Sequence, residues 1–222
     1  MAVSMNGWKV DPLITRITAA GKAAWVRRGD VARLIRWLGI AYALEVEPLL
    51  SFNGWRSAAL NASTGTPVQN SNHRSATAID INGGKYPYEY THRPSWKDPV
   101  PAAIKAKIRK VLVRVPEIGW GADFASPYRD PMHYEIRNGV SAAKIKARLD
   151  VLGVGWWHVH QATTGNAKAC LYKTRETGKA NITRRRGIGR NLYIVYVTPD
   201  RVWAMTKKGD WIKTSKLTKG KK

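Results

Sequence analysis

Cysteine is almost absent: the 222 residues hold one, Cys170. No disulfide can form within the chain, and a cysteine-built metal site has no basis. Acidic residues are scarce, 15 against 38 Lys and Arg, which leaves a net charge of +23. Such a balance implies a polyanionic partner: nucleic acid, an anionic membrane or an acidic cell wall. Charge alone does not choose among them. No apolar run approaches the roughly 18 residues that span a bilayer, so stable membrane insertion is not expected. The opening from Met1 to Trp8 lacks a basic region followed by an apolar stretch, and no secretory signal peptide is read there. Synthesis in a reducing compartment is expected. No internal repeat is found. Large apolar groups are plentiful, with 44% hydrophobic residues, ten Trp and nine Tyr. A core can form, which excludes global disorder.

The charge is uneven. Residues 1–150 hold 22 basic and 12 acidic side chains, and residues 151–222 hold 16 and 3. Segment character also changes at Gly153 and Gly155, which sets a boundary between a domain at 1–150 and one at 155–222. Three helices are predicted in the first. One opens at Asp30, taken as the N-cap, with Val31, Leu34, Ile35 and Leu38 inward. The next begins after Asp98, with Ile104, Ile108, Val111 and Leu112 inward, and ends by Pro116. The third opens at Ser141, carries Ile145, Leu149 and Leu152, and stops at Gly153. Ala78–Asn82 and His133–Ile136 alternate as strands, with Asp80 opposite the isoleucines and His133 sharing a face with Glu135. The pattern is α+β.

The informative residues are Ser71-Asn72-His73 followed by Asp80, then Trp120-Gly121-Ala122-Asp123, then Asp130-Pro131-Met132-His133. Two imidazoles and a carboxylate, His73, His133 and Asp80, are a normal ligand set for catalytic zinc, with the fourth position left to water. Asp130 lies three residues before His133 and can stand beside the metal as general base. Glu135 fits either a salt bridge or a hydrogen bond to a ligand histidine.

These stretches resemble the zinc D-alanyl-D-alanine carboxypeptidase and L-alanyl-D-glutamate endopeptidase family, which includes many phage endolysins. The pattern is Ser-x-His, six residues, Asp, and later Asp-x-x-His at a strand. The resemblance covers roughly residues 6 to 148, and the Asn6-Gly7-Trp8 opening is similar to endolysins of actinobacterial phages. It implies a small antiparallel sheet with flanking helices, a Hedgehog-like fold. It implies His73, Asp80 and His133 as zinc ligands, Asp130 as base and Arg56 as a substrate-contacting catalytic residue. Peptidoglycan is the implied partner. The implied location is the host cytoplasm before lysis and the bacterial wall afterwards. Aspartate as the base favours the endopeptidase branch. The D-alanyl-D-alanine and D-alanyl-diaminopimelate bonds stay open as alternatives. The family usually has Gly where this chain has Ala76, and Gly is common at Ala122. If Ala76 needs a positive φ, alanine costs about 1 kcal/mol there.

After residue 155, strand-like runs at 155–160, 191–198, 201–206 and 210–214 are separated by turns at 198–200 and 207–209. They resemble the Src-homology-3-like barrel appended to many endolysins as a wall-binding module. Arg184, Arg185, Arg186 and Arg190 would attract anionic wall polymers, and Trp203 and Trp211 fit either sugar stacking or the core. His158 and His160 share a strand face without a third ligand. His92 lies in a Tyr/Pro/Trp-rich loop with no assigned role. A basic nucleic-acid-binding protein is the distant alternative, and it leaves the two ordered motifs unexplained.

Overall fold

The computed structural model describes residues 2–65, 67–159, 168–175, 181–187 and 191–219. The chain divides into two compact units, Met1–Lys146 and Ala147–Lys222. The division falls slightly before the expected 150–155.

In the first unit, β1 (Ile14–Ala19) and β2 (Lys22–Arg27) form an antiparallel hairpin. Its two turn residues, Ala20 and Gly21, both have positive φ (44° and 80°), the geometry that lets a two-residue turn follow the strand twist. Helix α1 (Asp30–Glu45) follows, with the expected Val31, Leu34, Ile35 and Leu38 buried. Asp30 is not its cap. Gly29, at φ 95°, turns the chain out of β2, and Asp30 becomes the first helical residue, accepting from Arg33 at 2.7 Å. Its charge still suits the helix N-terminus.

The remaining elements of this unit are β3 (Phe52–Asn53), α2 (Ala58–Ser63), β4 (Ala78–Ile81), α3 (Glu89–His92), α4 (Ala102–Leu112), β5 (Ile118–Trp120) and β6 (His133–Ile136). Helix α1 packs on the hairpin and on α4, which buries Ile108, Val111 and Leu112 and half-buries Ile104. The strands form an antiparallel sheet in the order β3-β4-β6-β5. Its register decides the chemistry: Asp80 on β4 lies directly opposite His133 on β6. Both faces of β4 are buried, the isoleucines on one side and Asp80 on the other. Helix α5 (Ala142–Val151) is capped by Ser141, whose Oγ accepts from Lys144 N–H, and Gly153 follows with φ 72°.

The second unit holds β7 (Gly155–Val159), β8 (Lys168–Tyr172), β9 (Ile182–Gly187), β10 (Asn191–Val197), β11 (Trp203–Thr206), β12 (Trp211–Lys213) and β13 (Leu217–Lys219). They pair in the order β13-β7-β10-β11-β12-β8-β9 around Leu171, Leu192, Ile194, Ala204, Ile212 and Leu217. Among the described residues no pair joins β9 to β13, so the expected closed barrel is not found. Trp203 and Trp211 belong to the core, 8% and 6% exposed. His160, Arg190 and the side chains of His158, Cys170 and Arg184 to Arg186 lie outside the described residues.

Candidate metal centre

His73, Asp80 and His133 come together from three places: the loop before β4, β4 itself and β6. All three are buried. His73 Nε2, His133 Nδ1 and Asp80 Oδ1 form a triangle with every edge 3.1 Å. The outward nitrogens settle the tautomers. His73 Nδ1 lies 2.6 Å from the Gly54 carbonyl, which only accepts, so Nδ1 donates and Nε2 keeps its lone pair. His133 Nε2 lies 2.9 Å from the Glu135 carboxylate, so Nδ1 likewise keeps its lone pair. Three lone-pair donors therefore point at one another in a buried place. That arrangement needs a cation, either a proton or a metal. Ligand bonds of about 2.0 Å at tetrahedral angles would set the three atoms about 3.3 Å apart, close to the observed edges. The donor set fits a divalent metal.

The charges around the triangle agree. Burial alone would push His133 down, but the hydrogen bonds and charges of Asp80 and Glu135 outweigh it and raise the pKa to about 10. Burial lowers His73 against the pull of Asp80. Asp80 is held well below its usual range: burial opposes this, and the two histidines overcome it. The site keeps its carboxylate ionised and binds positive charge.

Asp130 stands beside the triangle without joining it. Its Oδ1 is buried and has no hydrogen-bond partner among the described residues. Burial, reinforced by Asp80 and Glu135 and opposed by His133 and Arg56, raises its pKa to about 7. Its backbone is fixed by the Trp-Gly-x-Asp element. Asp130 N–H donates to the Gly121 carbonyl at 2.8 Å, and Trp120 Nε1 donates to the Pro131 carbonyl at 2.7 Å. A Cβ at Gly121 would collide with the Asp130 carbonyl oxygen. Ala122 has no positive φ and carries no strain. Asp123 pairs with Arg109 at the surface.

Arg56 donates to Asp80 Oδ2, the oxygen turned away from the histidines. It lines the same cleft, about 620 Å³ in volume, as His73, Asp130 and His133. The walls are largely apolar and include Val68, Tyr88, Phe124, Tyr128 and Met132. His92 is exposed and hydrogen-bonds the Tyr88 carbonyl. Sequence reasoning missed Tyr88, Phe124 and Tyr128 as walls and Asn72 as a partner of Glu135. None has a spacing signature, because each is placed by loops.

Residues 64–136 match the family described as D-alanyl-D-alanine carboxypeptidase, a family of peptidases. No curated protein matches the chain. Among solved structures, the L-Ala D-Glu endopeptidase ChiX of Serratia marcescens aligns with 19% identity and a TM-score of 0.31. The alignment covers 48% of this chain and 77% of that one, a likeness too loose to carry an argument. The chain is thus similar to D-alanyl-D-alanine carboxypeptidases over the stretch that holds His73, Asp80, Asp130 and His133.

Proposed function

We propose that the chain is a zinc-dependent peptidase that cuts peptidoglycan stem peptides, as an L-alanyl-D-glutamate endopeptidase, and that it acts as a phage endolysin in host lysis. One observation carries the reading. Three inward lone pairs sit beside Asp130 Oδ1, unpartnered among the described residues, in a cleft whose His73, Asp130 and His133 lie in the stretch that matches a peptidase family. His73, Asp80 and His133 would hold the zinc. Bound there, the ion supplies Lewis acidity, which acidifies water and polarises a peptide carbonyl. Asp130 moves the proton, taking it from the attacking water and giving it to the leaving amine. Arg56 steadies Asp80 and turns its remaining donors to a substrate carboxylate or oxyanion. The apolar walls exclude water from the peptide.

The protein would accumulate in the host cytoplasm and act at the wall. The basic second unit would hold anionic wall polymers. The family match favours D-alanyl-D-alanine carboxypeptidase as the second reading.

Digestion of purified peptidoglycan by the zinc-loaded protein, followed by mass spectrometry, is expected to show new D-Glu or D-isoglutamine amino termini. Loss of terminal D-Ala alone would establish the carboxypeptidase instead. Asp130→Ala should lower turnover by about 10²–10⁴-fold, the usual worth of a general base. Chelation should abolish turnover and zinc restore it. Cleavage that survives both would overturn the reading.

A further inference from the structure

The chemistry of the triangle does not explain why the first residues of the chain are folded against the segments that carry it. Ser4 and Asn6, far from any catalytic position in sequence, are 3% and 4% exposed. The segment Ser4–Trp8 is a closed turn, with Ser4 N–H on the Trp8 carbonyl and Gly7 N–H on the Ser4 carbonyl. Almost every other bond it makes lands beside a metal-ligand candidate. Met5 N–H donates to the Asn70 carbonyl at 2.9 Å. Ser4 Oγ meets Ser75 Oγ at 2.7 Å. Asn6 Nδ2 donates to Thr77 Oγ1 at 2.9 Å and to the Ile136 carbonyl at 2.7 Å, which ties the His73 loop to the strand of His133.

The remaining bond is directional. Asn6 backbone N–H donates to Asn72 Oδ1 at 2.9 Å, and Asn72 Nδ2 donates to Glu135 Oε2 at 2.6 Å. The Asn6 backbone N–H can only donate, so it fixes the Asn72 amide with Oδ1 towards Asn6 and Nδ2 towards Glu135. The same Oε2 accepts from His133 Nε2 at 2.9 Å. The line Asn6, Asn72, Glu135, His133 thus ends on the nitrogen whose proton decides that Nδ1 faces the triangle.

We propose that Asn72 is a positioning residue for the metal centre, aimed by the Ser4–Trp8 segment and acting through Glu135 on the tautomer and orientation of His133. The inference rests on the reading of the triangle as a zinc site. It goes beyond that reading because Asn6 lies outside the matched stretch and the Asn72 side chain bonds Asn6 and Glu135, not a ligand atom. Partners one step removed from a ligand histidine typically change metal affinity by about 10- to 100-fold.

The test is a double-mutant cycle on zinc affinity, measured by competition with a chromophoric chelator on the full chain. Asn72→Ala and Glu135→Gln should each weaken zinc binding by about tenfold or more. The double variant should be no weaker than the worse single one, since both act along one line. In the zinc-loaded protein, the His133 Nε2 proton should exchange faster with solvent in Asn72→Ala, as read by ¹⁵N-resolved NMR. If Asn72→Ala does not fold, Asn6→Ala replaces it, and the same faster exchange with weaker zinc binding is expected. Affinity within twofold of wild type in a folded variant, or fully additive losses in the cycle, overturns the proposal. Wild-type protein that binds no zinc at stoichiometric concentration would instead sink the metal reading itself.

Discussion

Ala76 is fully buried with φ 56°, in the left-handed region that glycine adopts freely. Its amide donates to the His73 carbonyl and its own carbonyl accepts from Arg27 N–H, so the strained turn shapes the loop that presents His73. The left-handed conformation costs an L-residue about 1–2 kcal/mol. Glycine would remove that cost. It would also lose a buried methyl worth about 0.8 kcal/mol and add about 0.5–1 kcal/mol of unfolded-state freedom. The terms nearly cancel. Ala76→Gly is expected to leave stability in urea within about 1 kcal/mol of wild type, and Ala76→Val, β-branched and without space, to lose more than about 2 kcal/mol. A large gain from Ala76→Gly would show that the turn is more strained than this balance allows. The sequence showed the residues whose chemistry is rare, two histidines and two aspartates at fixed spacing. It did not show Asn72 or Asn6, since an amide carries no charge and its role depends on partners dozens of residues away.

At the scale of elements, the short ones matter most to the cleft, and Glu89 is the peg that joins two of them. It opens α3 and accepts from Arg129 Nε at 2.8 Å and from Ser126 Oγ at 2.7 Å, while its own N–H donates to the Arg129 carbonyl. The loop bearing Tyr88 is thereby bound to the loop bearing Tyr128 and Asp130. The Arg129 hydrogen bonds lower the Glu89 pKa from 4.5 to about 2 against a smaller effect of burial. A depressed pKa contributes stability that is present above pH 4.5 and is lost as pH falls through about 2. The melting-temperature difference between wild type and Glu89→Gln should therefore be greatest above pH 5 and shrink steadily towards pH 2. A constant difference would mean that the ion pair contributes nothing. Elements of this kind were the least legible. The three amphipathic helices announced themselves by apolar spacing. The β1–β2 hairpin did not, because Ala19, Ala23 and Ala24 blur its alternation and its turn is Ala-Gly. Strands of two or three residues such as β3 and β5 are too short for any period, and only pairing defines them.

The whole molecule carries a charge of +23, and its distribution makes a statement about partners that no single residue makes. Residues 151–222 hold 16 basic side chains against 3 acidic ones. Trp203 and Trp211 are in the core there, and Trp156 on β7 is left exposed. Under the proposed function, the basic surplus would make attachment to the wall chiefly electrostatic, a field acting on an anionic polymer. Such attraction is screened: the Debye length falls from about 10 Å at 0.1 M salt to about 3 Å at 1 M. Co-sedimentation of Asp130→Ala protein with intact walls, where cutting is suppressed, should fall steeply over that range. It should also weaken on walls stripped of their anionic polymers at constant salt. Cleavage of a small soluble stem peptide by wild type should change far less, because the triangle is buried, Asp130 is half-buried and their charges are local. Wall binding that persists unchanged at 1 M salt would show that attachment comes from shape and apolar contact, and that the basic surplus serves another partner.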